Sequence, residues 1–207
     1  MAVDDISRRR GRSLPHWSRP CGTYFLTFRT HDAIPYEVAT KLREDYEFDL
    51  RLLQRELGRS PNREEARAAR TERYRRAEKY LEQGHGECLL RDPRAARIAD
   101  EAIRFFDGDR YDLHAWCLMP NHAHVVLTVL GAYKPTGIMG AWKSYSAKEI
   151  NKALSRRGDV WQDEGFDHLV RGPHSFRRLC RYVWDNPQKL GYWPWVGGSG
   201  KLPEGWE

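Results

Sequence analysis

Hydrophobic and polar residues alternate along GTYFLTFRT, residues 22–30, which predicts a first strand. Tyr24, Leu26 and Phe28 fall on one side and Phe25 and Thr27 on the other. After Pro35 the period changes. Apolar residues recur at three- and four-residue steps over 36–57, which predicts a helix, and GRSPN at 58–62 breaks it. Asn62 is placed to cap a second helix over about 63–82. That helix is thick with Arg and Glu and poor in apolar residues, so most of it must be solvated. Residues 92–108 are amphipathic: Asp92 suits the N-cap, Pro93 the first turn, and Ala96, Ala99, Ile103 and Phe106 lie near one face. RYDLHAWCLM at 110–119 predicts a second strand and the β-branched run at 125–129 a third. Only Pro120 and Asn121 separate them clearly, so the two must be antiparallel neighbours. A helix over about 136–156 carries Ile138, Trp142, Tyr145 and Ile150 on its apolar side and Lys143, Lys148 and Lys152 on its basic side. A short strand at 166–170 and a last helix at 175–185, ended by Pro187, follow. The glycine-rich end from Gly197 reads as loose, with Trp206 able to dock.

This order, without an internal repeat, predicts an α+β fold: a mainly antiparallel sheet with helices on one face, plus a helical insert after the first strand. The expected division is a basic flexible arm at 1–20, a main domain at 21–192 with the insert at about 36–90, and a C-terminal tail at 193–207.

Composition narrows the partners. The chain has 207 residues and a formal net charge of +6, with a pI near 9.2, which favours a polyanion. Eight Trp and ten Tyr can fill a core or stack on bases. There is no apolar run of about 18 residues, so no transmembrane helix is expected. MAVDDISRRRGRSLPHWSRP has no apolar segment of a secretory leader. Cys21, Cys88, Cys117 and Cys180 are scattered without a CxxC, which argues against structural zinc and for a reducing cytoplasm.

The candidate chemistry starts at His122 and His124, in MPNHAHVVL. On a strand they point the same way, about 7 Å apart at Cα, and can converge on one ion. Taken alone, such a pair is more often two locally bonded polar residues at a strand end. Tyr182 and Asn186, four apart on the last helix, share a face. Two imidazoles and an amide oxygen can hold Mg²⁺ or Mn²⁺ and leave positions open for phosphate and water. A phenol, with a free pKa near 10, needs a nearby positive charge to become a nucleophile. Lys143, Lys148, Arg171, Arg177, Arg178 and Arg181, and the arm's Arg8, Arg9 and Arg10, are placed either to grip phosphates or simply to solvate the surface.

PNHAHVVL is similar to the histidine–hydrophobic–histidine motif of the HUH endonucleases. Together with TYFLTFR before it and VWQDEGFDHLVR and YVWDNPQKLGY after it, the chain resembles the REP-associated tyrosine transposases over about 22–192, apart from a poorly matching stretch near 40–90. The resemblance implies a ferredoxin-like sheet and a metal-dependent enzyme that cuts single-stranded DNA. Tyr182 matches the nucleophile, left joined to the 5′ phosphate, and His122, His124 and Asn186 match the metal ligands. His168, in the FDH block, matches a position expected near the active site or DNA. The partner implied is single-stranded DNA with REP-like hairpins and an adjacent guide tetranucleotide. A monomer in the cytoplasm, at the nucleoid, is expected, with a homodimer as the alternative. Two other functions fit the same residues: a retired transposase that holds hairpins without cutting, or a metal nuclease using water on RNA or DNA.

Overall fold

The computed structural model describes residues 7–10, 15–163, 165–191 and 193–206, and for 7–10, 15–18 and 63 the backbone alone. It divides into two compact units, Met1–His31 with Leu89–Glu207, and Asp32–Cys88.

The first unit is built on a five-stranded sheet with every neighbouring pair antiparallel. Two short strands, β1 (Ser7–Arg10) and β2 (Pro15–Ser18), pair with each other before it. The sheet strands are β3 (Thr23–Arg29), β4 (Tyr111–Met119), β5 (His122–Val129), β6 (Phe166–Leu169) and β7 (Val196–Gly197), in the order β6-β3-β5-β4-β7. Strands β3, β5 and β4 each lie between two partners, and all eight residues of β5 are buried.

Residues directly opposite across a ladder share a face, so the register sorts the side chains. Tyr24, Leu26 and Phe28 stand with Leu127, Val125 and Ala123. Phe25, Thr27 and Arg29 stand on the other side with Val126, His124 and His122. Helices α3 (Pro93–Arg104) and α4 (Pro135–Ala153) cover the first face. There Trp142 meets Phe28 at 6.0 Å and Tyr111 at 5.3 Å between ring centroids. Its indole N–H donates to the Tyr111 hydroxyl at 3.0 Å. Burying a Leu or Val in such a core stabilises by about 1.5–3 kcal/mol. Asp92 caps α3 as its sequence suggests, accepting from the Arg94 N–H at 2.8 Å. Tyr145, expected on the apolar side of α4, is instead 54% exposed.

Helix α5 (Pro173–Asp185) packs on the opposite face. Its Phe176 meets His114 at 5.0 Å, and its Tyr182 meets Phe25 and His124. The α+β, antiparallel architecture agrees with expectation, and the helices-on-one-face arrangement holds for α3 and α4. The buried stripe of α5, Phe176, Cys180 and Val183, would fit either face. The path of the chain after β6 decides between them, and periodicity does not report it.

The C-terminal stretch is not loose. Val196–Gly197 pairs with Cys117 and Trp116 of β4. The Trp184 indole donates to the Gly197 carbonyl at 2.9 Å, and Trp206 meets Phe176 edge-on at 6.0 Å. Gly198, at φ 117°, lies against the backbone of His114, where a Cβ has no room. The glycines that read as looseness are what allows this close approach. Within the stretch expected as a flexible arm, β1 and β2 form their ladder without any apolar alternation to signal it.

A bulge between Leu113 and Ala115 turns His114 inward, where it is 4% exposed. Its Nε2 lies 2.7 Å from the Thr128 hydroxyl, which lies 2.9 Å from that of Thr23. Burial lowers the His114 pKa below its ordinary value, against an opposing pull from Asp112. A base with a depressed folded pKa is neutral where the unfolded chain already binds protons. Its contribution is therefore complete above about pH 6.5 and lost as pH falls below that. Denaturant midpoints should drop between pH 7 and pH 5, and the drop should shrink in His114→Gln.

The second unit holds α1 (Tyr36–Leu57) and α2 (Arg63–Leu81). An Arg76–Asp49 ion pair at 3.1 Å and Arg73 over the Tyr46 ring link the two helices. Asn62 and Glu65 form a reciprocal capping box at the start of α2. Ala33, Ile34 and Leu81 form its small buried cluster. Its span, 32–88, lies close to the insert expected at 36–90.

Candidate active site

His122 and His124 are both fully buried, on the sheet face that α5 covers. Their Nε2 atoms face each other at 3.1 Å. His122 Nδ1 lies 2.8 Å from the Asn121 amide oxygen, and His124 Nδ1 lies 2.8 Å from the Thr27 hydroxyl. An amide oxygen only accepts, so this contact calls for the His122 tautomer with its proton on Nδ1 and a lone pair on Nε2. The 3.1 Å contact then needs a proton on His124 Nε2, and the Thr27 hydroxyl donates to His124 Nδ1.

Helix α5 supplies the other groups. Tyr182 is partly exposed, with its ring centroid 5.3 Å from His124 and 6.0 Å from Phe25. Phe25 itself stacks on His124 at 5.4 Å. Asn186 follows one turn on, at the helix end, with its backbone N–H bonded to the Tyr182 carbonyl. Its side chain is 2% exposed, and neither its amide oxygen nor its amide nitrogen has a hydrogen-bond partner among the described residues. A carboxamide left so costs about 1–3 kcal/mol unless something else satisfies it.

The histidine pair fits a divalent ion. Ligands at about 2.1 Å on adjacent octahedral positions are about 3.0 Å apart, close to the observed Nε2 separation. The orphaned Asn186 oxygen is a hard ligand of the type that Mg²⁺ and Mn²⁺ favour. For both imidazoles to coordinate through Nε2, His124 must move its proton to Nδ1. The Thr27 hydroxyl can then rotate and accept it, because it works in both directions. Thr27→Val and Asn121→Ala should each weaken Mn²⁺ binding about 10- to 100-fold, as titration calorimetry would measure. Unchanged affinity would remove Thr27 and Asn121 from this role. Neither residue stands out in the sequence. Thr27 becomes visible only through the cross-strand register, which sets it opposite His124.

The remaining residues expected at the site are dispersed. His168 sits on the same sheet face, opposite Phe25 on β6. Arg171 follows β6, and Arg178 lies on the exposed side of α5. Lys143 and Lys148 are on α4, over the other face. Lys148 is exposed, while the Lys143 amine donates to the carbonyls of Gln162 and Asp163. The side chains of Arg8, Arg9 and Arg10 lie outside the described residues. Trp142 and Trp161 are core residues, the latter donating to Ser146 at 2.9 Å. No helix among the described residues is long and apolar enough to cross a membrane.

Comparison with known proteins finds the following similarities. Residues 88–186 match the family model described as "Transposase IS200 like". The match takes in both histidines and Tyr182 and ends at Asn186. A REP-associated tyrosine transposase of Escherichia coli K12 is 25% identical over 85 residues, 40% of this chain. The aligned stretch spans about half of that relative, 47% of its length. A solved structure of a REP-associated tyrosine transposase bound to a REP hairpin aligns over 97% of both chains with a TM-score of 0.48 and 16% identity. A putative transposase from Deinococcus radiodurans R1 aligns over 86% of this chain and 97% of its own, with a TM-score of 0.34 and 15% identity. The histidine pair, the tyrosine and the asparagine all lie inside the segment that matches the IS200-like transposase model, and over that segment the chain is similar to the REP-associated tyrosine transposases.

Proposed function

We propose that this protein is a metal-dependent endonuclease and strand transferase of single-stranded DNA, cutting beside hairpins through Tyr182. The observation that carries the reading is the contact between the Tyr182 ring and His124, 5.3 Å between centroids. It sets a partly exposed phenol next to a buried imidazole pair. His122 and His124, with Asn186 as third ligand, would hold the ion, Mg²⁺ or Mn²⁺. Bound there, a divalent ion supplies Lewis-acid polarisation of the scissile phosphate and lowers the cost of a phenolate.

The Tyr182 oxygen gives up its proton and attacks phosphorus. The Tyr182 O–P bond forms and the bond from phosphorus to the 3′ oxygen breaks. The strand's 5′ phosphate stays on the tyrosine, and the departing 3′ oxygen takes up a proton. The ester count is unchanged, so the reverse attack by a 3′ hydroxyl rejoins the strands without ATP. The ring contacts of Tyr182 with Phe25 and His124 limit the directions from which the phenol oxygen can approach.

The test is a denaturing gel on single-stranded hairpins from DNA flanking the gene, with Mg²⁺ or Mn²⁺ and with EDTA. A covalent protein–DNA adduct that needs the divalent ion supports the proposal. A hairpin that is bound but never cut supports a retired binding protein instead. Cleavage that survives Tyr182→Phe supports a water-using nuclease.

A further inference from the structure

On β6, Phe166 and His168 point to the same face as Phe25 and His124. Their ring planes are 3° from parallel and their centroids 6.4 Å apart. Bases in a stacked strand repeat at roughly 3.4 Å. Two such repeats are about 6.8 Å, so these parallel rings admit one aromatic ring between them once they part by a few tenths of an ångström. We propose that Phe166 and His168 form a slot that sandwiches one unpaired nucleobase of the DNA strand delivered to Tyr182. The slot rests on the reading of the protein as a single-strand DNA enzyme and adds where that strand is gripped.

Three further observations favour a base as the occupant. Both rings are only partly buried, on the edge strand of the sheet. The slot is joined to the chemistry by a row of rings. His168 pairs with Phe25 across the ladder, and Phe25 stacks on His124 and touches Tyr182. Two strand spacings separate β6 from β5, about 10 Å, so the held base lies close to the cleaved bond without occupying it. Cationic residues also stand on neighbouring elements: Arg171 follows β6, and Arg177, Arg178 and Arg181 are exposed on α5. Stacking reads any base by its flat face, so the slot confers grip and placement with little sequence preference.

The test is abasic scanning. A hairpin oligonucleotide with a single-stranded extension is made with one base removed at a time, and binding and adduct formation are measured with the full-length protein. The expected result is one extension position where base removal weakens binding roughly tenfold. That penalty should vanish in Phe166→Leu and His168→Leu, which keep bulk but not a flat ring, and persist in Phe166→Tyr and His168→Phe. If the wild type cuts the strand yet tolerates every abasic position, the slot is wrong and the cleavage reading stands. Equal penalties in the leucine variants and the wild type also overturn it. If the wild type neither binds nor cuts any single strand, the cleavage reading itself fails and takes the slot with it.

Discussion

Tyr182→Phe should abolish the covalent protein–DNA product while leaving hairpin binding within about twofold of the wild type. The expected rate loss is at least about a thousandfold, because removing a nucleophile eliminates its reaction path. The substitution isolates chemistry from structure. The ring that meets Phe25 at 6.0 Å and His124 at 5.3 Å is retained, and only a hydroxyl on a partly exposed side chain is lost. Stability should therefore move by no more than about 0.5 kcal/mol. Quenched time points on a denaturing gel, beside a thermal melt, check both halves. An adduct that persists in the variant would transfer the nucleophile's role to another residue, and Tyr24 can be set aside on structural grounds. It is fully buried in the opposite core, and its hydroxyl is engaged with Arg19.

Replacing both imidazoles should have the second large effect. In His122→Ala with His124→Ala, the stabilisation of the wild type by Mn²⁺ should disappear. A ligand at one hundred times its Kd contributes about 2.7 kcal/mol to the folded state, which a melt resolves easily. Strand cleavage should fall together with it. The double variant will also be less stable without metal, because the His124 ring stacks on Phe25 and meets Tyr182 edge-on, and removing two buried rings opens a cavity. The diagnostic quantity is thus the difference made by metal within each protein. Asn186→Ala offers a milder version. It removes a buried carboxamide that has no hydrogen-bond partner among the described residues, so without metal it should cost little or even stabilise. With metal, it should lose part of the gain.

The local parts of this candidate site are legible in the sequence. A two-residue period sets His122 and His124 on one side of a strand, and a four-residue step sets Tyr182 and Asn186 on one side of a helix. Residue order alone also yields the antiparallel β4–β5 pair, since two intervening residues permit nothing else. What the pattern does not carry is the relation between elements distant in sequence. Thr27 and His124 are 97 residues apart and meet only through register. The choice of sheet face by α5 and the capture of Val196–Gly197 by β4 depend on tertiary packing, to which the 3.6-residue period of one element and the glycines of the other are blind. Lys143 illustrates the reverse error. A lysine on a basic helix side reads as a phosphate contact, yet its amine is engaged with two carbonyls of its own chain.

The connection through Pro120 and Asn121 has a consequence for engineering. Side chains of β5 alternate sides, so adding or deleting a single residue there would invert the whole strand against β4. Val125 and Leu127 would turn toward the helix that bears the phenol, and the imidazoles would be driven in among Trp142, Phe28 and Tyr111. Length changes in surface loops such as the one around Gly131 are harmless by comparison. In a library of random indels, a change in length between Met119 and His122 should be far rarer among survivors than one around Gly131.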